Sequence, residues 1–311
     1  MATANHDALI AALNGINVNP ADHGVLAAAL DALNARLPDN TLLSARTVIP
    51  ATTADGGAQE PPTISEGDSR QITIIDARNV EHPYMRLNLS YAALLGHSHV
   101  YAGAGDDIIA GDAAEQDING GAGNDILFGG AGNDTIYGQE GNDLLYAGQG
   151  ADNLNGNVGA DTILGGRDND IVLGGQDGDV LNGNMGNDTV NGNRGNDEVR
   201  GGQGDDVVHG GQDDDMLWGD LGDDHLWGDI GNDTLFGGEG ADRFYFAAGS
   251  GRDSIMDFNA AAGDRIVLVG RSYVLDQDAS GAAVLVFSDD ERVTIVGARR
   301  ADFNTDWILS Q

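Results

Sequence analysis

From residue 102 to residue 245 an apolar residue returns every ninth position without an insertion or deletion, from Ile109, Ile118, Leu127 and Ile136 through to Leu235 and Phe244. Two residues before each of these stands an Asp: Asp107, Asp125, Asp134, Asp143, Asp152, Asp161, Asp170, Asp179, Asp188, Asp197, Asp206, Asp215, Asp224, Asp233 and Asp242. Gln116 is the one exception among sixteen blocks of nine. Each block reads in two halves. The first six residues are rich in Gly, Asn and Asp, which tolerate positive φ and build turns. The last three form a short strand whose middle residue, at position eight, points inward while its neighbours point outward. Two blocks make one coil of 18 residues, and stacked coils bury the position-eight side chains between two parallel sheets. The pattern therefore predicts a mainly β chain whose centre is a parallel β-roll, a β-solenoid of 16 nonapeptide repeats. It should have about eight coils and be roughly 38 Å long at ~4.8 Å per strand.

The flanks differ in kind. Ala8 to Asn14 reads as a short apolar helix, and Asn19-Pro20 as the cap and first position of a second. Leu26, Leu30, Leu33 and Leu37 form a 4-3-4 stripe on that second helix, which Pro38 ends. Residues 1–50 are thus expected to be a small N-terminal helical module and 51–69 a linker. Residues 70–101 are read as a leading β cap, with strands near Gln71–Ile75 and Met85–Leu89 and a degenerate coil over Ala93–Tyr101. Beyond the roll, 102–245, the region 246–311 is expected to cap it. Its short strands fall at Ile266–Val269, Ala283–Phe287 and Val293–Val296, and near Trp307 to Leu309.

Charge decides what the roll can hold. The chain has 50 acidic residues against 15 basic ones, all Arg, for a net charge of −35. Such a surface repels nucleic acid and anionic membranes and favours cations. Residues 102–245 carry 26 Asp and 4 Glu against 4 Arg, a net of −26. Stacking places these carboxylates in columns along both edges, where like charges oppose folding unless something neutralises them. Carboxylates plus turn carbonyls make a flexible all-oxygen environment, which suits Ca²⁺ better than Zn²⁺ or Mg²⁺. The absence of Cys excludes disulfides and thiolate metal sites. No apolar run is long enough to span a bilayer as a helix, and Met1 to Asp7 does not read as the start of a cleaved signal.

The blocks GGAGNDILF from Gly120, GGAGNDTIY from Gly129 and GGQGDDVVH from Gly201 resemble the nonapeptide of the RTX (repeats-in-toxin) haemolysin-type calcium-binding proteins. The resemblance implies Ca²⁺ held between successive turns, with the position-six Asp carboxylates as side-chain ligands. Turn carbonyls would complete the sites, for example those of Gly121, Gly123, Gly130, Gly132, Gly202 and Gly204. Seven gaps on each of two edges would give ~14 sites at full occupancy. It also implies that 246–311 carries a type I secretion signal and that the protein is extracellular or at the cell surface. There calcium binding would become folding free energy.

Departures from the pattern mark expected weak points. Block two, GDAAEQDIN, has Gln116 for Asp and Ala114 for Gly, so sites touching it should be degraded. Asp168, Asp177 and Asp213 replace the position-four Gly. Asn157, Asn184, Asn193, Asp220 and Asp229 stand at position two, where they tolerate left-handed backbone.

Enzyme signatures are weak. No H-E-x-x-H helix is present, and Gly96-His97-Ser98-His99-Val100 imitates a nucleophile elbow but lacks its second Gly. His97 and His99, with His82, are a remote transition-metal possibility. Outward position nine carries Phe128, Tyr137, Tyr146, Trp218, Trp227, Phe236 and Tyr245, so that Trp218 and Phe236 share one sheet and Trp227 and Tyr245 the other. Such rows either shield the sheet or form an interface. The expectation is a non-enzymatic, secreted structural protein that assembles into a homo-oligomer, surface layer, filament or matrix through its N-terminal helices and aromatic rows. Adhesion to a glycan or cell surface is the alternative, and a small enzyme with a site in 70–101 ranks lower.

Overall fold

A computed structural model describes residues 73–76, 86–88, 98–101, 104–111 and 113–311. The expected N-terminal helical module and linker, with His82 and His97, lie outside the described residues.

Strands alternate between two sheets. β1 (Thr73–Asp76), β3 (Ser98–Tyr101), β5 (Gln116–Ala122) and the odd strands after them except β23 build a 12-stranded sheet. β2 (Arg86–Asn88), β4 (Ile108–Ala110), β6 (Ile126–Ala131) and the even strands after them, together with β23, build one of 13. Within the periodic segment, neighbours in a sheet are 18 residues apart and parallel: Ile163 on β10 (Thr162–Arg167) pairs with Leu145 on β8 (Leu144–Gln149) and with Leu181 on β12 (Val180–Met185). Two strands per turn give a parallel β-solenoid of about eight turns over the periodic segment.

The position-eight residues form the core. Ile109, Leu127, Leu145, Ile163, Leu181, Leu217 and Leu235 from one sheet meet Ile118, Ile136, Leu154, Val172, Val190, Val208 and Leu226 from the other, all fully buried. One apolar residue per strand suffices because each is covered by the equivalents above, below and opposite.

The strands are longer than the three residues the pattern predicts. From β6 to β18 (Thr234–Glu239) each has six, running from position seven of one block to position three of the next. The corner lies inside the strand: position two takes positive φ, yet pairing resumes there in register, as in Gly166 with Gly148 and Arg167 with Gln149. Asn157, Asn184, Asn193, Asp220 and Asp229 adopt this geometry with φ of 65–77°, as does Gln139 at 85°. Asp168, Asp177 and Asp213 take it at position four.

Both sheets continue past the repeat. β19 (Arg243–Phe246), β21 (Arg265–Leu268) and β25 (Ile308–Ser310) extend the first. β20 (Arg252–Ile255), β24 (Arg292–Arg299), β23 (Ala282–Val286) and β22 (Val274–Gln277) extend the second, which ends in antiparallel pairs. Phe244, Phe258, Phe303 and Trp307 pack together across this end.

Candidate metal centre

The position-six Asp residues stand in two columns, one on each edge of the roll. In each column the Oδ1 of one Asp accepts the backbone N–H of its equivalent 18 residues earlier. Asp107 donates to Asp125 at 2.7 Å, Asp125 to Asp143 at 2.7 Å, Asp143 to Asp161 at 2.8 Å and Asp161 to Asp179 at 2.8 Å. The other column runs Asp134 to Asp152 at 2.7 Å and Asp152 to Asp170 at 2.9 Å, and then onward to Asp242. Gln116 occupies this second column, buried, and donates its N–H to Asp134 at 2.8 Å.

One oxygen of each carboxylate is therefore used; the other is not. The Oδ2 atoms of Asp125 and of every position-six Asp from Asp143 to Asp242 are buried with no hydrogen-bond partner among the described residues. Each except Asp152, whose block begins with Ala147, faces the position-one Gly of its own block. A Cβ added at Gly120 would fall on Asp125 Oδ2 and crowd the carbonyl oxygen of Gly138, one turn on. Gly156 with Asp161 and Gly174, and Gly192 with Asp197 and Gly210, repeat the arrangement. At these turns a glycine leaves the space open.

Burial makes these carboxylates poor anions. It pushes Asp170 up to about 9 against the lowering effect of the Asp152 N–H, and the charges of Asp152, Asp188 and Asp168 add to the rise. Asp125, Asp179, Asp206 and Asp215 rise to about 8 for the same reason. Ionised carboxylates sealed from water without a countercharge are strongly unfavourable.

The site residues fit a hard cation. The unsatisfied atoms of the position-six residues are carboxylate oxygens, and at most turns a backbone carbonyl lies beside them with a glycine leaving room between. Among the described residues no group of three or more His, Asp and Glu side chains converges. The carboxylates instead arrive one per turn, so carbonyls would have to supply the remaining donors.

A family model, the RTX calcium-binding nonapeptide repeat (4 copies), matches residues 92–114, 119–154, 146–181, 182–217 and 218–255. This chain belongs to the RTX calcium-binding repeat family. No curated protein matches it. Two solved structures are similar over part of its length. The AlgE6R3 subunit of the Azotobacter vinelandii mannuronan C5-epimerase shares 26% identity over 42% of this chain and 78% of its own, with a TM-score of 0.31. The extracellular lipase LipA from Serratia marcescens shares 18% over 69% of this chain, with a TM-score of 0.24, and the match spans 40% of the lipase.

The RTX roll holds more than the repeat pattern shows. Asp253 extends the first column with a 3.1 Å bond from Asp233 N–H and a buried, unpartnered Oδ2. Asp264 extends the second with a 3.1 Å bond from Asp242, but its Oδ2 accepts the Asn259 N–H at 2.7 Å, so the row of unpartnered oxygens stops there. Both break the 18-residue spacing, which hides them from a periodic search. Position five adds a second ladder on the outer edge, running the opposite way. Asn124 Oδ1 accepts the N–H of Asn142 at 2.8 Å, and Asp205 Oδ1 that of Asp223 at 3.0 Å. The Asn and Asp recurring at that position are its sequence signal.

The glycines expected to offer turn carbonyls share one backbone geometry. Gly121, Gly123, Gly130, Gly132, Gly202 and Gly204 all have positive φ. The position-two and position-four carbonyls, such as Asn184 O and Gly105 O, face the backbone of Gly202 and Gly123 one turn on. Ser98 and His99 lie on β3, one strand before the periodic segment.

The aromatic rows are where the register predicts. Trp218 stacks on Phe236 with centroids 5.3 Å apart, and Arg200 covers the Trp218 ring at 4.0 Å. On the other sheet His209, Trp227 and Tyr245 stack at 4.5 and 4.0 Å, nearly parallel. Ring faces are turned onto one another, and His225 closes the group with a 3.2 Å contact from its Nδ1 to the Tyr245 hydroxyl.

Proposed function

We propose that this RTX protein is a secreted structural protein that folds on calcium outside the cell and assembles there into a layer, filament or matrix. The buried carboxylate oxygens of Asp125 and of Asp143 to Asp242, which lack hydrogen-bond partners among the described residues, carry this reading. Asp107, Asp125, Asp134, Asp143 and their equivalents to Asp242 would hold Ca²⁺ with the neighbouring glycine-turn carbonyls. When bound, the ion supplies the positive charge that lets carboxylates stack at every turn. Where calcium is scarce, repulsion and desolvation would keep the chain unfolded and exportable; at millimolar calcium, binding energy becomes folding energy. Residues 102–245 would be the calcium-responsive rod, and 246–311 its cap together with a type I export signal.

Assembly draws support from exposed apolar residues on both sheets: Val180, Met216 and Leu221 on the second, Ile171 and Ile230 on the first. They are scattered, with Glu198 between Val180 and Met216, so each would be a separate small contact in an assembly and not one apolar face. Glycan binding through the aromatic rows is disfavoured because the stacked rings present edges, whereas a sugar needs an open ring face.

Static light scattering during a Ca²⁺ titration, with Mg²⁺ as control, tests the assembly. Mass should rise well above the 32.2 kDa monomer only with Ca²⁺. A compact monomer at every calcium concentration would remove self-assembly.

A further inference from the structure

On an ordinary strand of this roll, positions seven and nine face outward and stay partly open. β7 (Thr135–Glu140), β9 (Asn153–Val158) and β11 (Ile171–Gln176) follow that rule, with Asn153 and Ile171 exposed and Tyr137 and Asn155 half-buried. Three strands of the second sheet do not. On β6, β8 and β10 the outward residues Ile126, Phe128, Leu144, Tyr146 and Leu164 are 2–7% exposed. They lie side by side: Ile126 pairs with Leu144, Phe128 with Tyr146 and Tyr146 with Leu164. Further along the same sheet the burial stops, and Val180 is 44% exposed.

Among the described elements, β6, β8 and β10 contact their sheet neighbours and the strands of the opposite sheet. Neither accounts for burial on the outer side. The covered face is therefore local, apolar apart from the half-buried Thr162, and confined to the end of the roll where the chain enters.

We propose that this face is the docking site for the N-terminal segment of the same chain, residues 20–37, through Leu26, Leu30, Leu33 and Leu37. Three observations select that occupant. Seventy-two residues precede β1, which opens the first sheet at the end of the roll where β2, β4 and β6 open the second, and the residues between Leu37 and Thr73 are enough chain to cross from one sheet to the other. The 4-3-4 stripe is an apolar surface that a short helix cannot bury alone. Its span also fits: as the expected helix, Leu26 to Leu37 would cover about 16 Å, against roughly 10 Å between the first and third of three strands plus their side chains. The face exists only while β6, β8 and β10 are stacked, so docking reports a formed roll. This inference concerns the folded roll and does not rest on assembly; it removes the leucine stripe from the surfaces available for it.

The chain has no Cys, so paired substitutions give clean cross-linking. Full-length Leu30→Cys/Thr162→Cys, folded in calcium and treated with a short bismaleimide, should give an intramolecular product at monomer mass. Leu30→Cys/Asn153→Cys, with its second thiol on the opposite sheet, should react at least several-fold more slowly. Equal rates, or no product from either, would overturn the proposal. A product of twice the monomer mass would also overturn it, by giving the face to a second copy. Hydroxyl-radical footprinting reads the face independently of cross-link geometry. Leu26→Asp/Leu30→Asp/Leu33→Asp, with the β-sheet circular dichroism retained, should raise labelling of Phe128 and Tyr146 several-fold over the unaltered protein. Unchanged labelling in that variant would contradict the docking.

Discussion

Asp161 holds the N–H of Asp143 with one carboxylate oxygen at 2.8 Å and keeps the other buried with no hydrogen-bond partner among the described residues. The first oxygen fixes the distance between turns; the second creates an electrostatic problem at every turn. Repeated along both edges, this pairing makes a rod whose stability depends on what neutralises the second oxygen.

Protons can do so in place of a metal, which sets a pH dependence. Burial raises Asp143 and Asp188 to about 6, Asp125 to about 8 and Asp170 to about 9, from an ordinary value of 3.8. A carboxyl whose folded value lies above its unfolded one binds its proton more tightly in the folded state. Its contribution is full below pH 4 and is lost as pH rises through 6 to 9. In chelator the roll should therefore show more β-structure and a higher Tm at pH 4.5 than at pH 8.5. With calcium present the order should reverse, because protons compete for the same oxygens. Thermal melts at both pH values, with and without chelator, check both signs.

Asp161→Asn separates the two roles of the side chain. The amide oxygen can still accept from Asp143, while the charge disappears. Without calcium the variant should be no less stable than the parent. With calcium it should bind fewer ions and melt lower, by about 1–3 kcal/mol for one poorly satisfied buried group. Calorimetric titration and paired melts measure this, and equal losses in both conditions would count against a metal-linked role.

Gly192→Ala probes the space beside the carboxylate. Its Cβ would fall on Asp197 Oδ2 and against Gly210 O. Gly192 does not have positive φ, so left-handed backbone strain is not the cause of any loss. Calcium affinity should fall, and the loss should exceed that of Gly249→Ala, where an added Cβ meets nothing within 4 Å although φ is +93°. Calcium titrations of the two variants compare them directly.

Leu217→Ala tests the thin core. Leu217 is fully buried, and truncation should cost about 2–5 kcal/mol in the calcium-loaded protein. The loss should appear in chemical denaturation at saturating calcium.

The core was legible in the sequence because one apolar residue in nine is a strong signal when nothing interrupts it. The two Asp columns followed from the same period. Asp253 and Asp264 escaped it because insertions of two and four residues shift them out of phase, though their backbone partners, Asp233 and Asp242, are in phase. Strand length was underestimated because Gly, Asn and Asp read as turn. The position-two corner instead keeps ladder pairing on both sides, even at Gln139. The face over Phe128 and Tyr146 was hidden for another reason: position nine is aromatic on exposed and covered strands alike, so the pattern does not distinguish them. The leucine stripe of the first 50 residues was visible, but what it meets is a question of three dimensions.

Far-UV circular dichroism of the full chain at pH 7.5, titrated with Ca²⁺ from chelator and with Mg²⁺ in parallel, tests the central claim most directly. The account predicts little β-structure in chelator and a steep gain of β-signal with Ca²⁺ that Mg²⁺ does not reproduce. A strong β-signal in excess chelator that calcium leaves unchanged would contradict it.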